Sequence, residues 1–420
     1  MFRGRVAKLG AVVVVALLTG TVAAVLAAGP SHAPAPRQES AGLSLAVSIH
    51  DTIPVGKTPD GGAYDSKNFQ VYVSNQKSNN VTVISSITHT HTSIAVGVLP
   101  TNSSSVSIIS NASKVIATLK LGSGAKPTAA YVDPANADVL IINESSYPKT
   151  NVAWLISGQT NKATKITLGL GFAAVVGFNP KSKELYVAND IGHSLSAITA
   201  TGTVKTIALP GEPFIPTPDP ATGDLLVPML ATTLKGGGSI EVLSATDAVV
   251  TTIKLPGVYS ILAALSAYDP YNHDVYFVGH NITKNDSAVV IITSSNKLAA
   301  TLFLNKNNLD FLPFYDPANG DVYLGGTSKN ITVINQTKVV KTLTVKQPVP
   351  YLVYDPSLKD MVGAGDVNVT TNSTLFLISS TNTVSAPLTV GKLGIAFLYN
   401  PKDKYVWVVN EGSSDLQLVG

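Results

Sequence analysis

Tyr315-Asp316-Pro317-Ala318-Asn319-Gly320-Asp321-Val322-Tyr323-Leu324 decides the fold. Asp followed by Pro suits the first two positions of a type I turn, where Asp caps and Pro fixes φ. Ala318-Asn319-Gly320 completes a short polar connection, and an apolar, β-prone run follows. The stretch reads as the end of one strand, a tight loop and the next strand: a hairpin.

The same box recurs in one register along the chain. Its first residue is Asp65, Asp133, Asn179, Asp219, Asp269, Asp316, Asp355 or Asn400. Each is followed, six residues later, by an apolar run starting at Val71, Val139, Leu185, Leu225, Val275, Val322, Met361 or Val406. Successive boxes are 68, 46, 40, 50, 47, 39 and 45 residues apart. A period of about 40–50 residues with four strands in each unit is the mark of a β-propeller. The expectation is an all-β chain of four-stranded antiparallel blades. Eight boxes give eight blades; a seven-bladed ring with one irregular unit is the alternative.

One repeat fixes the strand order. In the sixth, strand A ends at Tyr315, B is 322–324, C is 330–334 and D is 339–345. The fourth repeats the pattern with 238–243 as C and 249–255 as D. The B runs are apolar at successive positions, as expected of a sheet packed on both faces. The first repeat carries extra residues between Ser86 and Ser105, including His89-Thr90-His91, which either extend a hairpin or duplicate a C–D pair.

The two ends complement each other. The last repeat supplies strands A to C and stops after 415–419, with no D. Residues 46–55 look like a strand D with nothing before them. Pairing the two would complete the eighth blade and remove two exposed edges.

Composition narrows the function. The charged fraction is 13%, about half the usual share, and the net charge of +3 forms no basic stripe, so no nucleic acid is expected as partner. Such low charge suits an acidic extracellular setting, where carboxylates are partly neutral. The chain lacks Cys, which excludes disulfides, thiolate metal sites and a Cys nucleophile. Arg3, Arg5 and Lys8 precede an uncharged run from Leu9 to Ala28, the pattern of an export signal. Residues 1–28 are therefore a signal peptide or an N-terminal membrane anchor, 29–44 a Pro/Ala/Ser linker, and 45–420 the propeller. The expected location is extracellular or cell-surface, with membrane contact only through an uncleaved N-terminal segment.

Tyr72-Val73-Ser74-Asn75 and Tyr186-Val187-Ala188-Asn189, each followed by Val/Ile-rich strands, resemble the YVTN β-propeller repeat family. The resemblance covers about residues 46–420. It implies a propeller typical of archaeal surface-layer and cell-surface proteins and of some bacterial envelope proteins. Repeats four to seven depart from the pattern, with Met229, Gly279, Gly326 and Gly365 where the Asn stands elsewhere.

No catalytic, cofactor or metal site is expected. Eight equivalent box residues argue for turn capping, since a catalytic carboxylate needs a distinct environment. His89 and His91 would share one face of a strand, but no nearby acid or Cys completes a ligand set. Gly169-Leu170-Gly171-Phe172-Ala173-Ala174 matches a relaxed dinucleotide fingerprint but leads into a strand, so it has no helix to receive a pyrophosphate. Glu144, Glu212, Glu241 and Asp310 are the acids outside the boxes best suited to catalysis, and none has an adjacent His in sequence. The positive signal is ten sequons, at Asn80, Asn102, Asn111, Asn143, Asn281, Asn285, Asn330, Asn335, Asn368 and Asn372, candidates for N-glycosylation. The expected function is a non-catalytic surface scaffold for adhesion, envelope assembly or ligand capture, its partners other surface proteins or glycans. The alternative is a propeller enzyme, a lyase, lactonase or quinoprotein-like oxidoreductase, with its site at one channel mouth.

Overall fold

A computed structural model describes residues 48–419 apart from 58, 66–69, 76–79, 86, 89–90, 96–104, 110–114, 121–126, 134–135, 137, 144–149, 158–159, 161, 172–175, 231–236, 259, 282–285, 305–309, 327, 350, 366–370, 393, 401–403 and 411. The expected signal or anchor and the linker therefore lie outside the described residues. Every regular element among the described residues is a β-strand.

Each box opens one four-stranded antiparallel sheet, and the strands of a sheet follow chain order. Sheets 1 to 7 span 59–95, 127–170, 176–208, 217–255, 260–303, 310–344 and 351–392. The eighth takes three strands from 394–419 and its fourth, Ile49–Pro54, from the other end of the chain. In the sixth sheet the strands are Asp310–Tyr315, Asp321–Gly326, Asn330–Asn335 and Lys338–Thr344, within two residues of the sequence reading. Strand A of sheet 4 is only Thr217–Pro218, in a segment where Pro210, Pro213, Pro216 and Pro220 limit the donors a ladder needs.

The extra residues of the first repeat resolve as a duplicated pair. Strand D of sheet 1 is His91–Ala95, from within the insertion. Ser105–Ile109 and Val115–Lys120 then form a separate two-stranded sheet before sheet 2.

Both faces of a sheet are buried, which explains the unbroken apolar B strands. Leu185 and Val187 pack against sheet 2, while Tyr186 and Ala188 pack against sheet 4. The same alternation runs on through sheets 4 to 8, each sharing one apolar core with the sheet before it. Sheet 8 also shares a core with sheet 1, where Trp407, Val409, Leu416, Leu418 and Ile53 meet Val71, Val73 and Ile84.

The N-terminal strand reaches this core as a fourth strand. Thr52 pairs with Gln417, Ile53 with Leu416 and Pro54 with Asp415, and the Val55 N–H donates to the Ser414 carbonyl. Ile53 is 3% exposed. Ile53→Ala is expected to cost about 3 kcal/mol. Deleting residues 43–56 is expected to cost more, because it also bares the ladder of 415–419. Urea denaturation of the full chain and both variants measures this; an unchanged midpoint in the deletion would show that the pairing holds nothing.

Candidate functional site

The A–B and C–D turns of each sheet lie at one end, and the B–C turns lie at the other, because the strands run up and down in order. The polar residues of the repeat gather at these two rims.

At the first rim the box residue is an internal cap. Asp219 Oδ1 accepts the Ala221 N–H at 2.8 Å; Asp269, Asp316 and Asp355 do the same for Tyr271, Ala318 and Ser357. The backbone closes around it. The Asp219 N–H donates to the Asp224 carbonyl, and its own carbonyl accepts from Gly223. The fifth turn residue has positive φ in every described case: Lys183, Gly223, His273, Gly320, Lys359 and Lys404. His273 thus occupies a turn position, with its Nδ1 2.6 Å from the Tyr268 hydroxyl. Asp133, Asn179, Asp219, Asp269, Asp316 and Asp355 are all buried, so the turn-capping reading fits their geometry.

A second turn class was not read from the sequence. Thr199, Ser244, Thr293 and Ser379 open C–D turns whose fourth residue, Gly202, Asp247, Asn296 or Asn382, has positive φ. Asp, Asn and Gly tolerate that region best. Three of these side chains reach back to the preceding sheet. Asp247 Oδ1 accepts from the Tyr186 hydroxyl at 2.8 Å, and Asn296 Nδ2 donates to Asp224 Oδ2 at 2.6 Å. Asn382 accepts from the Tyr323 hydroxyl at 2.5 Å and donates to Asp321 Oδ2 at 2.8 Å. Burial raises the Tyr186 and Tyr323 phenols well above their usual range, so both are neutral donors. The tyrosine before the box adds a second contact. Tyr315 hydrogen-bonds Asp269 of the preceding sheet, and Tyr268 and Tyr354 face Asp219 and Asp316.

At the other rim the B-strand asparagines tie B to C. Asn189 Nδ2 donates to Ser194 and Ser196, and Asn410 Nδ2 donates to Asp415 and Gln417. The preceding sheet presses on both. A Cβ on Gly169 would come within 2.5 Å of Asn189, and one on Gly391 within 2.6 Å of Asn410. Gly169 therefore serves close sheet packing, at the end of strand Ala163–Leu170.

The acids expected to suit catalysis do not form one site among the described residues. Glu241 is buried and accepts from Thr252 at 2.8 Å; Glu212 lies on the connection before sheet 4, where its carbonyl accepts from Leu230. Glu144 and the Asp310 side chain lie outside the described residues. His280, lowered by burial, interacts electrostatically with Asp286. Yet His280 stands opposite Ser287, while Asp286 stands opposite Asn281, so the two point to opposite faces of sheet 5. His193 is exposed in a B–C turn, and His89 and the His91 side chain lie outside the described residues. No three acidic or histidine side chains gather as a metal-binding group among the described residues.

Of the sequons, Asn372 is exposed at the start of a strand. Asn330 and Asn335 are half-buried, and Asn335 donates to Asp321 at 2.6 Å. Asn281 is buried, 4% exposed, and a glycan there would have to displace core packing. Asn102, Asn111, Asn285 and Asn368, and the side chains of Asn80 and Asn143, lie outside the described residues.

By fold the chain is similar to solved β-propellers. It matches the Dos1 propeller with a TM-score of 0.61 at 9% identity, covering 89% of this chain and 93% of that one. The dihydro-heme d1 dehydrogenase NirN, solved in complex with DHE, gives a TM-score of 0.55 at 13% identity, covering 80% of this chain and 66% of that one. Virginiamycin B lyase from Staphylococcus aureus gives 0.48 at 12% identity, covering 89% and 99%. No family model matches the chain, and no curated protein matches it. The likeness establishes the β-propeller fold.

Tyr323→Phe is expected to cost about 2 kcal/mol, because it leaves Asn382 Oδ1 buried without its donor. In a double-mutant cycle with Asn382→Gly, read by urea denaturation, the coupling is expected near 1 kcal/mol. A coupling close to zero would show that these two residues do not join the sheets.

Proposed function

We propose that the eight sheets are the blades of one ring, completed by the strand at 49–54, and that the protein is an exported, non-catalytic YVTN-type propeller. Its role is a rigid scaffold at the cell surface, presenting loops to other surface proteins or glycans for adhesion, envelope assembly or ligand capture. One observation carries this reading. Buried and half-buried polar side chains that recur from sheet to sheet are directed at the neighbouring sheet: Tyr186 to Asp247, Asp224 to Asn296, Tyr323 to Asn382. Groups fixed in this way hold shape. The shared core of sheets 8 and 1 supports the ring.

The glycan carriers in this reading are the sequons away from the sheet-to-sheet cores, with Asn372 foremost. The native protein is expected to exceed its polypeptide mass by glycan increments that deglycosylation removes. Asn372→Gln should remove one increment, and Asn281→Gln none. A native mass equal to the bare polypeptide rejects the glycoprotein part of the proposal.

The scaffold part is tested on purified full-length protein. Saturable binding to envelope fractions of its own host is expected, with no stoichiometric metal or organic cofactor. A bound cofactor at one per chain, or turnover of a small substrate, would replace this reading with an enzyme.

A further inference from the structure

In sheet 3 the box residue is an amide. Asn179 Oδ1 accepts the Lys181 N–H at 3.0 Å, and Nδ2 donates to the Gly223 carbonyl of sheet 4 at 2.8 Å. One side chain caps its own turn and crosses to the next sheet. In sheet 6 the same position is Asp316. Its Oδ1 caps the turn in the same way, through Ala318. Its Oδ2 is buried without a hydrogen bond of its own, because the nearby Tyr323 hydroxyl gives its proton to Asn382. Asp219 in sheet 4 shows another solution, where the Thr222 hydroxyl donates to Oδ2 at 3.0 Å. Sheet 6 has Asn319 at that place, and its amide is turned to Tyr323 and Ser380.

The receiving turn has the same form in both pairs of sheets. Gly223 and Lys359 stand at the same position of their turns, with φ of 81° and 60°. The carbonyl there is the acceptor used by Asn179. By analogy with Asn179, an ionised Asp316 would turn an acceptor toward that carbonyl, whereas a neutral acid turns a donor. The charges around it act in the same direction. Asp321 of the same sheet and Asp360 of sheet 7 face it, with the phenols of Tyr315, Tyr323 and Tyr354. The nearby lysines are engaged elsewhere or exposed: Lys341 Nζ donates to the Asn382 carbonyl at 2.7 Å, and Lys359 is exposed.

We infer that Asp316 is a carboxylic acid that donates its proton across the junction of sheets 6 and 7, making that junction a latch loosened by alkali. Burial first, then the like charges of Asp321 and Asp360, push Asp316 up to about 7. Burial and then Asp355 push Asp360 up to about 6. A carboxyl held above its unfolded value binds its proton more tightly in the folded chain. Its contribution is complete below about pH 4, declines as pH rises, and is lost above about pH 7. The inference stands independently of the scaffold role.

Thermal melts of the full chain between about pH 4 and pH 9 test it. From about pH 5 to pH 8 the melting temperature is expected to fall by roughly 5 °C. Asp316→Asn, which restores the amide of sheet 3, is expected to abolish most of that fall and to leave the melt at about pH 5 within roughly 2 °C. A flat or rising wild-type profile, or an unchanged slope in the variant, overturns the inference. Should the variant not fold, infrared titration of the wild type decides. A protonated-carboxyl band that survives at about pH 6 and fades by about pH 8 supports the latch, and its absence at about pH 6 overturns it. Calcium chloride added at about pH 8 forms the last arm. No rise in the melt is expected; a rise of several degrees would assign the free oxygen to a cation and overturn the proton.

Discussion

A buried polar residue at the edge of a sheet must find a partner for its side chain, and that constraint governs this molecule. Sheets 3 to 8 are covered on both faces, and in sheets 3 to 7 the box residue that opens the A–B turn is buried with them while the residues after it reach the surface. The carboxylate or amide of the box residue resolves the problem from within, by accepting the N–H two residues on. An apolar residue at that place would lose this part-buried hydrogen bond, at a cost of about 1 kcal/mol. A longer side chain would carry its oxygen past the N–H two residues on, the contact that an Asx turn makes. The restriction to Asp and Asn at all eight positions follows from this geometry.

Once the turns are capped internally, the remaining polar atoms are free to join one sheet to the next. The positive-φ residue of a C–D turn does so in three of the sheets, through Asp247, Asn296 and Asn382. These bonds add direction to an interface that is otherwise apolar. A hydrophobic face alone would allow adjacent sheets to slide or tilt; a phenol bonded to a fixed amide allows one alignment. Close approach does the same at the opposite rim, where Gly169 and Gly391 let a strand pass directly over Asn189 and Asn410.

The fold was legible because its signals are local. Box, loop and apolar run lie within about a dozen residues, and repetition in one register turns a weak turn signal into an architecture. The fourth strand of sheet 8 was legible for a related reason, since a D-like strand at one end matched a missing D at the other. The side-chain partnerships were not legible. Tyr323 and Asn382 are 59 residues apart, and nothing near either one names the other. The recurrence of a Ser or Thr three residues before Gly202, Asp247, Asn296 and Asn382 was a usable signal for the turn, though not for its target. The acids singled out for catalysis were chosen because they broke the repeat, but breaking a repeat places a residue on no particular face. Glu241 shows this, buried on strand Gly238–Leu243 and bonded to Thr252 of the neighbouring strand.

The partnership of Thr52 with Gln417 spans 365 residues. The strand Ile49–Pro54 is made before every other described strand, and its hydrogen-bonding edge stays unclaimed until 415–419 has been translated. During that interval sheets 1 to 7 have every strand they need, each within its own repeat. The chain can therefore gather most of its structure progressively, while the final sheet forms in one late encounter between the two ends. A copy truncated before 415–419 leaves Ile49–Pro54 an orphan edge strand.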